Sequence, residues 1–157
     1  MHDSGGIEMR VAVGCDHNGL ELKRELFSVL SEMGHAYEDF GCYDKGAVDY
    51  PDIAQSVAEA VAAGRFDQGV LICGTGVGMS IAANKVRGAR AALCHDTYAA
   101  QRAREHVDAN VLCMGAWIIG VGVAQDILRA YLEGGFVGGR HARRVEKIRV
   151  IESTQPA

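Results

Sequence analysis

The chain has 157 residues, 48% of them hydrophobic, with a net charge of −4 and a pI near 5.8. That is enough sequence for one domain with a real core, and the near-balanced charge excludes the basic profile usual for a nucleic-acid binder. No apolar run approaches the roughly 20 residues that span a bilayer. Residues 1–9 carry no charged-then-apolar leader pattern, so the sequence predicts a loose tail there, a single domain over 1–157 and a cytoplasmic protein with no membrane partner.

Arg10 to Cys15 is a short apolar run with the character of a buried strand. Asn18 is placed to cap the helix that follows, in which Leu22, Leu26, Val29, Leu30 and Met33 recur at helical spacing up to Gly34. Ala36 to Phe40 is a second strand, closed by Gly41. Pro51 opens a helix over Ile53, Val57, Ala60 and Val61 that Gly64 ends. Gln68 to Cys73 is the third strand, followed by a glycine-rich loop and a helix-like run, Ile81 to Lys85. Ala89 to Cys94 is the fourth strand, with a helix from about Asp96 to Glu105. Asn110 to Met114 is the fifth, with a helix from Ile119 to Glu133. A charged segment, His141 to Ile151, forms a last helix within a C-terminal arm over 138–157. Strands alternating with helices predict right-handed βαβ units and a Rossmann-like, doubly wound parallel sheet of five strands with helices on both faces. Ligands bind such sheets beyond the C-terminal strand ends. Asp16-His17, Cys73 to Ser80 and His95-Asp96 all fall there.

The segment Cys73-Gly74-Thr75-Gly76-Val77-Gly78-Met79-Ser80 is the most informative. A glycine loop between a strand and a helix start builds a nest of backbone N–H groups able to hold an anion. A thiol at its mouth feels positive potential, which favours the thiolate. One segment thus offers a base or nucleophile beside a site for the negative charge its chemistry creates. Several other readings apply to the same residues. A dinucleotide fingerprint needs glycine at Met79, although Asp96 does lie about 20 residues on, as a ribose-binding acid would. A P-loop needs Gly-Lys-Ser/Thr, and a thiol phosphatase needs arginine at Met79; neither is present. A cysteine at a strand end is, by itself, ordinary packing. The five cysteines contain no CxxC pair, which excludes zinc-ribbon and thioredoxin patterns and implies reduced thiols.

Asp16-His17 pairs a carboxylate with an imidazole at the crevice, or else caps a loop. His106, near Asp108, has the position of a solvated helix-end residue. Arg140, His141, Arg143 and Arg144 are either a solvated helix face or a phosphate clamp. No group of residues has metal-ligand spacing, so neither a metal nor a cofactor is expected. A thiolate base, an anion nest, a His/Asp pair and an arginine cluster together suit proton transfer between adjacent carbons of a sugar phosphate through an enediolate. A non-enzymatic nucleotide- or sugar-phosphate-binding module is the alternative from another class.

Gly14-Cys15-Asp16-His17, Glu21-Leu22-Lys23, Asp49-Tyr50-Pro51, the Cys73 to Gly78 loop, Ala82-Ala83-Asn84-Lys85, Asn110-Val111-Leu112 and Gly138-Gly139-Arg140-His141 occur in order between residues 10 and 151. Together they resemble ribose-5-phosphate isomerase type B, a family that includes the galactose-6-phosphate isomerase subunits. The resemblance implies an aldose–ketose isomerase of four- to six-carbon sugar phosphates, most typically ribose 5-phosphate in the pentose phosphate pathway. It implies a homodimer, or a tetramer of dimers, with sites at the subunit interface. By the same resemblance Cys73 is the base, and the backbone of Gly74, Gly76, Val77 and Gly78, with Thr75, stabilises the enediolate. His106 assists ring opening in the neighbouring subunit with help from Asp16. His17, Arg140 and Arg144 bind phosphate, and Tyr50 lines the pocket. One branch of the family has a Glu base at the position of Met79 and lacks the cysteine, so this chain resembles the cysteine branch. Two positions depart from the pattern: Val107 stands where Asn is common, and Trp117 where a phosphate-facing Arg is common. Losing a cation beside a phosphate costs about 1–3 kcal/mol unless replaced, whereas a tryptophan fills space beside a shorter or differently shaped sugar. Both positions are therefore candidates for setting specificity.

Overall fold

A computed structural model describes residues 6–156. Its elements are β1 (Arg10–Cys15), α1 (Leu20–Glu32), β2 (Ala36–Asp39), α2 (Tyr50–Ala62), β3 (Gln68–Cys73), α3 (Val77–Ala83), β4 (Ala91–Leu93), α4 (Thr97–Val107), β5 (Val111–Gly115), α5 (Val121–Glu133) and α6 (Arg140–Thr154). The five strands form one parallel sheet in the order β2-β1-β3-β5-β4. This is the doubly wound architecture that the alternating periods predict.

The period of two along each strand sorts side chains into two cores. Val11, Val13, Val70, Ile72, Leu112 and Met114 face one way, against Leu26 and Leu30 of α1 and Ile127, Leu128 and Tyr131 of α5. Ala12, Leu71, Cys73, Val111 and Cys113 face the other, against Val57 and Val61 of α2 and Met79 of α3. β3 is buried along its whole length, so it reads as a continuous apolar run rather than an alternating one. Strand order reverses between β1 and β3, where Cys15 pairs with Ile72. The segments leaving these two strands diverge to opposite sides and open a crevice at their C-terminal ends.

Several local expectations are corrected. Gly19, not Asn18, is the N-cap of α1, with no side-chain cap. The turn is instead held by Asp16, whose Oδ1 accepts the Asn18 and Gly19 amides at 2.9 and 3.2 Å. α3 begins at Val77, directly on the glycine loop, and Asn84 ends it, so the helix lies N-terminal to the expected run. β4 is shorter than expected because its edge is met by a side chain: Asn84 brackets Ala91, accepting its N–H at 2.8 Å and donating to its carbonyl at 2.9 Å. β2 ends at Asp39, and β5 runs one residue further than expected, to Gly115. Of the expected loose tail over 1–9, residues 1–5 lie outside the described residues. Met9 is tied down, its carbonyl accepting from Ala36 N–H at 3.0 Å. α6 is docked as well, burying His141 and Val145, while Glu152 accepts the Gly88 amide at 2.8 Å.

One charge lies inside. Lys23 of α1 is fully buried, and its Nζ donates to Asp39 Oδ1 at 2.6 Å and to the Cys42 carbonyl at 2.5 Å. It thereby fastens the start of the long β2–α2 loop to α1. Lys23→Ala would remove the ammonium from that carbonyl and leave a partly buried carboxylate with only the Gly41 amide on its Oδ1, and is expected to destabilise the protein by about 2–4 kcal/mol in denaturant unfolding. A loss below about 0.5 kcal/mol would show that water replaces the ammonium at no cost.

Candidate active site

β3 carries Cys73 to the crevice, and the chain then turns on glycines because there is no room for anything larger. Gly76 has φ 77°, and a Cβ on it would stand 2.6 Å from Leu93 Cδ1 and 2.8 Å from the carbonyl carbon of Met114. Gly115 meets the loop from the other side: a Cβ there would be 2.6 Å from the Thr75 carbonyl. The loop therefore lies directly on the end of β5. Cys73 is 5% exposed, and its Sγ accepts the Gly76 N–H at 3.1 Å. Such a bond stabilises negative charge on sulfur. Thr75 Oγ1 accepts the Val77 amide at 3.3 Å. The amides of Gly74, Thr75, Gly78 and Met79 donate to no protein acceptor among the described residues, and those of Thr75 and Gly78, which are not buried, remain for a ligand oxygen. Gly76 and Val77, both expected in the nest, use their N–H groups within the loop.

Three of the other four thiols are raised by burial. Burial, as the leading cause, pushes Cys15 up to about 12, Cys94 up to about 11 and Cys113 further still. Cys15 and Cys42 lie with their sulfurs 4.0 Å apart in the core. Of the five, Cys73 alone has a backbone amide aimed at its sulfur among the described residues.

Around the loop stand residues from neighbouring strand ends. Asp16 is 5% exposed, and its N–H donates to the Ile72 carbonyl at 3.1 Å, which places it beside the last turn of β3. One of its oxygens is occupied by the capping bonds described above, so the loop-capping role expected as an alternative is present. His17 Nδ1 accepts the Val48 amide at 3.4 Å, which leaves the proton on Nε2. Tyr50 opens α2 and sets its ring over Gly78: a Cβ there would be 2.6 Å from ring carbons. Sequence reasoning placed His95 at a strand end but assigned it no role. Its Nε2 accepts the Gly115 amide at 3.2 Å, just beneath the loop. Asp96 caps α4, accepting the Ala99 amide at 2.7 Å, so the acid that a dinucleotide site would use is engaged elsewhere.

His106, Val107, Arg140 and Arg144 are not brought to this crevice. α4 leaves the C-terminal edge of the sheet after β4 and runs back, so His106 in its last turn lies at the N-terminal edge. α5 returns to the same edge and delivers α6. There the rings of His106 and His141 stack, with centroids 4.0 Å apart and an interplanar angle of 7°. Sequence reasoning counted His141 only as one of a basic cluster; a contact across two helices gives no local signal. Burial first, then His106, Arg140 and Arg144, push the His141 imidazole below its ordinary value. Arg140 and Arg144 are exposed one helical turn apart and form no ion pair among the described residues. A cavity of about 790 Å³ also lies at this edge, lined by Lys85, Arg87, Arg90, Val107, Ile148 and Glu152. One chain thus presents two separate groups of candidate residues, a thiol and amide crevice and a histidine and arginine face.

The family model described as Ribose/Galactose Isomerase matches residues 11–148. Ribose-5-phosphate isomerase B of Escherichia coli (strain K12) is 48% identical over 91% of this chain and 96% of its own length. D-erythrulose-4-phosphate isomerase of Pectobacterium atrosepticum is 43% identical over 92% of this chain and 95% of its own. The structure of Clostridium thermocellum ribose-5-phosphate isomerase B superposes with a TM-score of 0.90 at 50% identity, covering 92% of this chain and 98% of that one.

The His106–His141 stack predicts a pH dependence. A histidine whose folded value is depressed takes up its proton more readily in the unfolded chain, so its contribution is complete above about pH 6.5 and is lost as pH falls below it. Melting temperature should therefore fall more steeply from about pH 7 to about pH 5.5 in the wild type than in His141→Gln. Parallel curves would contradict this.

Proposed function

The chain belongs to the ribose/galactose isomerase family and is a sugar-phosphate isomerase, and from that premise we propose that it interconverts ribose 5-phosphate and ribulose 5-phosphate by enediolate proton transfer at Cys73. The Cys73 thiolate takes the proton from C2 of the open-chain aldose. The C–H electrons form the C1–C2 double bond, and the carbonyl pair moves onto O1. The unpaired amides of the glycine loop, with Thr75, hold that developing oxyanion. The proton is then returned to C1 while the proton of the C2 hydroxyl passes to O1, giving the ketose. The observation that carries this reading is the Gly76 N–H on Cys73 Sγ beside four loop amides, of Gly74, Thr75, Gly78 and Met79, without protein acceptors among the described residues.

The separation of the two residue groups supports a site completed by a second copy of the chain. One protomer supplies Cys73, Asp16, His17, Thr75 and Tyr50. Its partner supplies a histidine for ring opening and arginines for phosphate, in the roles proposed for His106, Arg140 and Arg144. An exposed arginine pair one turn apart, without carboxylate partners among the described residues, suits the three oxygens of a phosphate. Val107, half-exposed after His106, leaves the partner's contribution without the amide donor common at that position.

Cys73→Ser and Cys73→Ala are expected to lower kcat by at least about 10³-fold while the melting temperature stays within a few degrees of the wild type. Turnover within tenfold of the wild type would remove Cys73 as the base. Co-expressed Cys73→Ala and His106→Ala chains, each inactive alone, should regain roughly one quarter of wild-type activity, because mixed dimers contain one intact site. No recovery in a mixed dimer isolated by two affinity tags would place both residues in the same protomer's site.

A further inference from the structure

Trp117 is the chain's single tryptophan, and it is 68% exposed. It does not wander. Its N–H donates to the Gly74 carbonyl at 2.9 Å, and the Ala116 N–H donates to the Cys73 carbonyl at 2.9 Å. The amides of Ile118 and Ile119 close the following turn on the Gly115 carbonyl at 3.0 and 3.2 Å. The six-membered ring therefore lies on the backbone next to the base. A Cβ on Gly74 would stand 2.7, 2.8 and 2.9 Å from Cε3, Cζ3 and Cδ2. Gly74 is the residue that lets the indole sit there. Across the loop the Tyr50 ring stands over Gly78 in the same way, and it too is substantially exposed. The Cys73 loop is thus flanked by two aromatic walls, each with a face turned to solvent.

An indole offers a large flat apolar face and one donor, and carries no charge. Such a face suits the C–H side of a carbon chain and gives nothing to a phosphate dianion. Backbone bonds on both sides of residue 117 hold its main chain in place, and the ring packs on Gly74. A wall of this kind fixes how far the carbon chain can extend beside the reacting carbons.

We propose that Trp117 is the specificity-determining wall of the site, stacking on the substrate's carbon chain beside Cys73 and excluding aldose phosphates longer than five carbons. This rests on the reaction proposed above and adds to it the residue that sets chain length.

The test uses the full-length enzyme and three substrates: erythrose 4-phosphate, ribose 5-phosphate and a hexose 6-phosphate with ribose's configuration at C2. In Trp117→Ala and Trp117→Leu the ratio of kcat/KM for the six-carbon over the five-carbon substrate should rise roughly tenfold or more. Trp117→Phe, which keeps a flat wall, should retain a ratio close to the wild type. In a Cys73→Ser background, ribose 5-phosphate should change Trp117 emission saturably, and inorganic phosphate should not. An unchanged ratio in active variants, or emission unmoved by saturating ribose 5-phosphate, would overturn the role of Trp117 and leave the reaction standing. A wild type that turns over none of the three would overturn the reaction itself, and this role with it.

Discussion

Everything at the crevice depends on the backbone of the Cys73 loop lying in direct contact with the end of β5. Gly76 and Gly115 face each other across that contact with no space for a Cβ on either, and the amides of Ala116 and Trp117 bond back to Cys73 and Gly74. This close approach does three things at once. It ends β3 at the thiol and starts α3 within three residues. It also turns the Gly76 amide onto the sulfur. The proposed base and the amides that would stabilise its product anion are therefore carried on one short, closely packed stretch of main chain.

The second constraint is the topology of the βαβ unit. A helix that leaves one end of a parallel sheet must return to the other, so residues at the end of α4 cannot share a crevice with residues at the end of β3 in the same chain. The reaction still needs both a carbon-acid base and a phosphate clamp. In the assembly proposed above the opposite edges would come together, and Arg140 and Arg144, exposed and in no ion pair among the described residues, are where such a contact would place positive charge. His141, with Arg140 and Arg144 nearby, stacks its ring on His106 and so fixes the relative orientation of the two imidazoles.

The sheet was legible in the sequence because each strand is a local apolar run closed by glycine or a polar turn, and the Cys73 loop was legible because its parts are contiguous. Errors arose where a residue's partner is distant. Asn18 has the residue type of a cap, but its own amide and that of Gly19 are taken by the Asp16 carboxylate, and the helix starts one residue later from Gly19. Asn84 looks like the interior of a helix until Ala91 is beside it. Lys23 stood out only within a family motif, since its partners, Asp39 and Cys42, come from another strand and loop. Trp117 was visible as a departure from a pattern, but its place on Gly74 follows from packing between β3 and β5 that no local rule encodes.

The central claim is that the hydrogen on C2 leaves as a proton to Cys73 rather than crossing to C1 as hydride. The most direct measurement is NMR of ribulose 5-phosphate formed from ribose 5-phosphate in D₂O. Deuterium at C1 of the product, together with loss of this exchange in Cys73→Ser, is the predicted result. Product that keeps the substrate's hydrogen at C1 and carries no deuterium would contradict the account.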